Sequence, residues 1–393
     1  MNTIAIRAGQ LIDGTGAEPV ADAVVVIEGD TIQAVGAVGE VQIPPGAEAI
    51  DAGAMTLMPG LMDIHHHISG AFEAVRTLRL TLQRGMTTIG SVSGGPAGCR
   101  LRDAIDAGAI RGCSRFLSAG VVVPTNGHVP GRNADGPWEV RKAVREMVQA
   151  GCDYIKTAAS GGFWGERETC SVRNYTLEEL VALVDEAHAW GVPVAAHCHT
   201  QPGLNNCIQA GVDQIHHGAF IDDEAVEGIA REGLYYIPSL RVTCRKNIDA
   251  WTDRPWMKAE MEQSSPIHRA GVRKAHELGV TVGIGTDGPG TKAAWKPGDA
   301  TPWEMQELVE VGFTPMEAIV AATHNTAQAM RILDRVGTLQ VGKKADLLVV
   351  NADPLADISV LYDGRNIVAV FKGGRMEACE ESFKHYYTVK DEE

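Results

Sequence analysis

The sequence predicts an α/β fold: a (β/α)8 TIM barrel with a small composite β-sandwich domain built from both termini. Three observations point there. Short apolar, β-rich runs alternate with stretches of helical periodicity through the middle of the chain. Matching β-rich texture with glycine punctuation occupies both ends. Polar residues with chemical potential gather at the C-terminal ends of the runs, where barrel sites are built. A doubly wound open sheet fits the alternation equally well. It concentrates its site at one switch point, however, whereas here at least five runs contribute. The expected division is 1–57 plus 338–393 for the composite domain and 58–337 for the barrel.

In chain order, IAIRAGQLIDGTG, ADAVVVIEGDTIQAVG and VQIPPGAEAIDAG read as strands joined by turns. The barrel runs follow: 56–64, 86–92, 115–123, 153–160, 192–197, 212–217, 234–240 and 280–287. Between them, helices are plain over 137–151, 176–191 and 222–233, each ending in glycine, the usual left-handed cap. Thr176 and Glu179 spell a capping box at the start of the second. ADLLVVNADP and IVAVFKGGRM then return to strand texture.

Composition bounds the partners. A chain of 393 residues accommodates one barrel of about 250 residues plus a satellite. Formal net charge is -15 with no basic block, which disfavours nucleic acid. The opening MNTIAIRAGQ has no charged and apolar signal regions, and no window reaches the roughly 18 apolar residues of a membrane span. The 8 cysteines are scattered without a CxxC pair and read as reduced thiols of a cytoplasmic protein. Neither a nucleic-acid nor a membrane partner is therefore expected.

The chemistry begins at MPGLMDIHHHISG, residues 58–70. Tandem histidines make a poor core, because every ring carries nitrogens that need partners. Strand alternation sends His65 and His67 to one side and His66 to the other. An HxH pair at a strand end suits a borderline metal such as zinc. Asp63 is in phase with both, placed to orient a ligand or to pack below it. Lys156 lies inside the apolar run CDYIKTAASGG, where an ammonium is costly unless paired. It either reaches the mouth to find a counter-ion or becomes a neutral amine able to form a carbamate with carbon dioxide. His197, His217 and Asp287 end three further runs, and the carboxylate of Asp287 can both ligate and accept a proton. Cys198, between His197 and His199, is turned away by alternation and reads as packing. GIGTDG (283–288) spells GxGxxG, but a Pro/Gly-rich loop follows it and no helix start, so a dinucleotide site is not expected.

These segments resemble the amidohydrolase superfamily across nearly the whole chain. PGLMDIHHH resembles its first-strand metal motif, GIGTDG its eighth-strand motif, and ATHNTAQAMRILDRVGTLQVGKKADLLVV the return to the sandwich domain. ADGPWEVRKAVREMVQAGCDYIKTAASGG and AAHCHT…AGVDQIHHGAFIDDE resemble the branch of Xaa-Pro dipeptidases, related carboxypeptidases and imidazolonepropionase-like enzymes. The resemblance implies two divalent metal ions, zinc by expectation, bridged by N6-carboxylysine at Lys156. It implies His65, His67, Lys156, His197, His217 and Asp287 as ligands. His128 matches a substrate-contacting histidine, with His199 at the same mouth. Three departures concern the substrate: SVSGG (91–95) is uncharged, His216 stands where glutamate is usual, and Arg241 replaces a tyrosine. Arg241 either clamps a carboxylate or is a solvated loop charge.

The implied reaction is metal-assisted hydrolysis of an amide-type C–N bond, with Asp287 as proton acceptor and His128 steadying the oxyanion. The expected substrate is an Xaa-Pro-type dipeptide or N-acyl amino acid; the alternative is a non-peptide amide, carbamate, urea or lactam. A silent scaffold and a mononuclear deaminase fit less well, the first because no ligand is missing, the second because one metal needs no bridging lysine. FWGER (163–167) and KAAWKPGDATPW (292–303) are candidate lid segments. A homo-oligomer is expected from the resemblance.

Overall fold

A computed structural model describes residues 3–68, 71–288, 298–362 and 364–386. The chain opens with β1 (Thr3–Leu11), β2 (Val20–Glu28), β3 (Thr31–Ala37), β4 (Glu48–Asp51) and β5 (Thr56–Pro59). The central run is β6 (Leu61–His66), β7 (Met86–Ser91), β8 (Arg115–Val123), β9 (Arg132–Asn133), β10 (Tyr154–Ala158), β11 (Val194–Cys198), β12 (Gln214–His217) and β13 (Tyr235–Ile237). It closes with β14 (Leu347–Val350), β15 (Ile367–Lys372) and β16 (Arg375–Cys379).

Strands from the two chain ends pair in one mixed sheet, ordered β16-β15-β14-β5-β1-β2-β3, with β4 beside β1. Leu57 of β5 is the seam, registered on Leu11 of β1 and on Val349 of β14. Alternate residues from both halves, including Ile6, Val25, Leu57, Leu347 and Phe371, share one buried cluster. The second sheet runs β13-β12-β11-β10-β8-β7-β6, every pair along it parallel. Helices α1 (Ala71–Gln83), α2 (Gly95–Asp106), α3 (Pro137–Gln149), α4 (Leu177–Ala189), α5 (Gly203–Ala210) and α6 (Asp223–Glu232) alternate with its strands. Thr176 caps α4 with the reciprocal Glu179 contact that its sequence spells.

Two expected strands came out differently. The run 56–64 breaks at Pro59–Gly60, so β5 joins the composite sheet and β6 the parallel one. Gly60 is needed there: a Cβ would lie 2.2 Å from the Thr87 side chain. The run 280–287 forms no regular strand, yet it joins the two open edges of the parallel sheet. Gly283 donates to the Tyr236 carbonyl at 3.0 Å, and Ile64 donates to the Ile284 carbonyl at 3.0 Å. Asp287 also donates to the His65 carbonyl at 2.7 Å, but two N–H groups between go to side chains, Ile284 to Thr326 Oγ1 at 2.8 Å and Thr286 to Asp63 Oδ1 at 3.1 Å. No helix among the described residues is long and apolar enough to cross a membrane.

Candidate metal centre

The C-terminal ends of the parallel strands surround a cavity of about 250 Å³. His65, His67, His128, Lys156, His197, His199, His217 and Asp287 all contribute to its lining. Two donor groups stand out. His65, His67 and Asp287 have ligand atoms within 4.8 Å of one another, and so do His197, His199 and His217. The rings of His65 and His217 lie 4.6 Å apart and connect the groups.

In the first group, Asp287 Oδ1 is 2.8 Å from His67 Nε2 and 3.5 Å from His65 Nε2. Burial raises the Asp287 carboxyl, but the hydrogen bond and charge of His67 outweigh it, leaving the group below its usual range. The backbones are held by Asp63, which accepts from His65 N at 3.1 Å, Thr286 N at 3.1 Å and Thr286 Oγ1 at 2.6 Å. It therefore tethers the segments bearing His65 and Asp287 to each other. Burial pushes its own carboxyl up to about 6 despite those donors. Asp287 at φ 57° and His217 at φ 75° both sit in the left-handed region, unusual for residues with side chains and common at functional sites.

Lys156 is buried, and burial lowers its ammonium to about 7. Its Nζ lies 3.1 Å from His216 Nδ1, which is also 2.7 Å from His65 Nδ1. The order of protons in this chain follows from its far end. Gln214 Nε2 donates to the Ala329 carbonyl at 2.8 Å, so Gln214 Oε1 must accept from His216 Nε2 at 3.0 Å. His216 Nδ1 is then an acceptor, His65 Nδ1 its donor, and His65 Nε2 is left as a lone pair on the Asp287 side. That is the tautomer a metal-ligating histidine needs. His216 is thus a neighbour of both Lys156 and His65, a role that sequence spacing gave no sign of.

In the second group, His197 Nε2 is 3.1 Å from the Gly161 carbonyl, which leaves Nδ1 as its lone-pair atom. The Nδ1 atoms of His199 and His217 are buried without a hydrogen-bond partner among the described residues. Burial, reinforced by neighbouring rings and Lys156, lowers the imidazoles of His65, His197, His199 and His217 well below 6.5. Buried, neutral, partnerless nitrogens converging on one space fit a soft or borderline divalent cation.

Three other expectations bear on the substrate. His128 lines the cavity, stacked on His197 with ring centroids 4.0 Å apart. His199 lines the cavity, with a ligand atom within 4.8 Å of those of His197 and His217. Arg241 is neither a solvated loop charge nor among the described lining residues: it is fully buried, its Nε donating to the Thr286 carbonyl at 2.8 Å, with Glu304 accepting from its backbone N–H at 2.7 Å. Part of the lining is apolar, a wall formed by Phe163, Trp164, Val242, Trp251, Met257 and Met261. FWGER thus contributes wall residues, whereas 292–297, half of the other lid candidate, lie outside the described residues.

A profile of the amidohydrolase family matches residues 56–376. The chain belongs to the amidohydrolase family. Ochratoxinase of Aspergillus niger is 30% identical over 425 residues, spanning 94% of this amidohydrolase and 86% of its own length. The ochratoxinase crystal structure matches with a TM-score of 0.85, covering 97% of this chain and 96% of that one at 27% identity. A Xaa-Pro dipeptidase with methionine in its active site matches at TM-score 0.84 and 31% identity, covering 95% and 99%. A prolidase complexed with N-methylphosphonate-L-proline matches this amidohydrolase at TM-score 0.85 and 26% identity, covering 96% and 100%.

Proposed function

We propose that this amidohydrolase is a binuclear, zinc-dependent hydrolase of an amide-type C–N bond in a small molecule. One metal would be held by His65, His67 and Asp287, the other by His197 and His217, with N6-carboxylated Lys156 bridging them. The observation that carries the reading is the convergence of two histidine-rich donor groups and a buried lysine on one cavity. Bound divalent cations supply Lewis-acid polarisation of the carbonyl and lower the pKa of water. The residues do the rest. Asp287, the carboxylate of the donor groups, accepts the proton of the attacking water and passes it to the leaving nitrogen. His128 faces the same space and steadies charge developing on the carbonyl oxygen. The apolar wall excludes water and seats the substituent of the amide.

An Xaa-Pro-type dipeptide or N-acyl amino acid is the first substrate class, supported by the prolidase, Xaa-Pro dipeptidase and ochratoxinase relatives. A non-peptide amide, carbamate, urea or lactam is the second. It is supported by the apolar residues of the cavity lining, Phe163, Trp164, Val242, Trp251, Met257 and Met261, which suit a hydrophobic non-peptide substituent. Zinc analysis should return close to two ions per chain. A panel of Xaa-Pro dipeptides, N-acyl amino acids, carbamates and aryl ureas then assigns the class. Lys156→Ala should lose the second ion and most activity, with partial recovery in small carboxylates; an unaltered variant would exclude the carbamate bridge.

A further inference from the structure

We propose that Glu168 is the positioning residue of His128, gripping the ring by one nitrogen so that the other is presented to the substrate. This deepens the hydrolase reading and rests on it. The two residues come from different loops: His128 from the segment after β8, Glu168 from the segment after β10. His128 Nδ1 and Glu168 Oε1 are 2.7 Å apart. An ionised carboxylate only accepts, so Nδ1 carries the proton and Nε2 is the atom left for the cavity.

The surroundings are built for this grip. On one face the imidazole lies against His197, the planes 24° apart. On its edge it lies against Gly162, where an ideal Cβ would fall 2.2 Å from His128 Cε1 and 2.7 Å from Nε2. A side chain at 162 would push the ring out of place, so glycine is required for the close approach. Gly161 and Gly165 leave similar room beside Glu168: a Cβ on either would come within 3.2 Å of its Oε1 or 3.0 Å of its Cβ, respectively. The loop GGFWGERE therefore performs two tasks, supplying Phe163 and Trp164 to the apolar wall and closing on His128 with its last residue. Glu168 belongs to neither donor group, and its side chain is 25% exposed, so replacing it need not disturb the core or the metal ligands. Its effect reaches the reaction through His128.

The test uses the zinc-loaded full chain and whichever amide the panel shows to be cleaved. Glu168→Ala should lower kcat by roughly 10- to 100-fold, the usual loss of an outer-sphere partner, with KM little changed and zinc content intact. Glu168→Gln, which keeps an acceptor but no charge, should fall between Glu168→Ala and wild type. Gly162→Ala, which displaces the same ring without touching the carboxylate, should reproduce the kcat loss. Inhibition by a phosphonate dipeptide analogue should weaken in parallel with kcat. Independently of turnover, the imidazole N–H bonded to Glu168 should give a far-downfield proton resonance, absent in His128→Asn and in Glu168→Ala. Wild-type kcat in Glu168→Ala, or loss of zinc in step with activity, would overturn the proposal. A zinc-loaded wild type that cleaves none of the amides would sink the hydrolase reading instead, while the downfield resonance would still decide whether the grip exists.

Discussion

His216 shows how much of the centre depends on where single protons sit. Its Nδ1 is the acceptor for both His65 and Lys156, all three side chains being buried. Replacing it with leucine leaves those N–H groups without a partner, at about 1–3 kcal/mol for each buried group. His65 is then free to take the wrong tautomer. His216→Leu should therefore weaken zinc binding by roughly 10- to 100-fold, read by competition with a chromogenic chelator. Unchanged affinity would remove His216 from the orientation of His65. Gln214→Leu, one step further out, should show a smaller loss in the same assay, since it releases His216 Nε2 without removing the ring. His216 also explains a limit of pattern reading. Strict alternation allows only one of two adjacent strand residues to face inward, yet both His216 and His217 contribute. The left-handed backbone at His217 breaks the period of two at the strand end, and nothing local in the sequence announces it.

At the scale of elements, the segment 280–288 combines structural and functional duties. It threads between β6 and β13, where side-chain volume is excluded: a Cβ on Gly285 would stand 2.5 Å from His65 Cβ and 2.5 Å from Ile237 Cγ2. Gly285→Ala should cost about 1–3 kcal/mol through overpacking and shift Asp287 away from His65. Chemical denaturation and zinc stoichiometry would register both effects; a variant with normal stability and two bound ions would contradict the tight threading. The capping box of α4 offers a contrast. Thr176→Ala should lower stability by about 1 kcal/mol while kcat and zinc content stay as in wild type, because the cap lies outside the cavity lining. Periodicity identified α3, α4 and α6 because their amphipathic faces and caps are local signals. It read 280–287 as a strand because the composition is β-rich, but two of its N–H groups, those of Ile284 and Thr286, are claimed by Thr326 and Asp63, partners far away in the chain.

For the whole molecule, the buried histidines couple protonation to folding. Burial holds His65, His197, His199, His216 and His217 well below their ordinary value of 6.5. Above that value they are neutral in both folded and unfolded chains and have no differential effect. As pH falls below it, the unfolded chain takes up protons that the folded one refuses, so stability declines toward acid. Each such group contributes at most about 1.4 kcal/mol per pH unit. Chelator-treated protein should therefore melt at a clearly lower temperature near pH ~5.5 than near pH ~7.5. Under the proposed function zinc would bind the neutral rings of the folded state, so its addition should raise the melting temperature at the higher pH. A melting temperature that is flat across that interval would mean that the imidazoles are not buried as described.

The sequence by itself determined the chemistry on offer and its address along the chain. His65 and His67 were legible as a pair because alternation is a local rule, and Lys156 stood out because a charge inside an apolar run is costly wherever the strand packs. The alternation of strands and helices, and the pairing of β-rich texture at the two ends, were likewise visible in linear pattern. Tertiary structure alone decided which of these residues meet. It turned His199 toward His197 and His217, buried Arg241 against the Thr286 carbonyl, and put His216 between Lys156 and His65. The reason is physical. Periodicity fixes the side of an element on which a residue lies, but a donor's partner is set by packing between elements distant in the chain, and no local propensity encodes that distance.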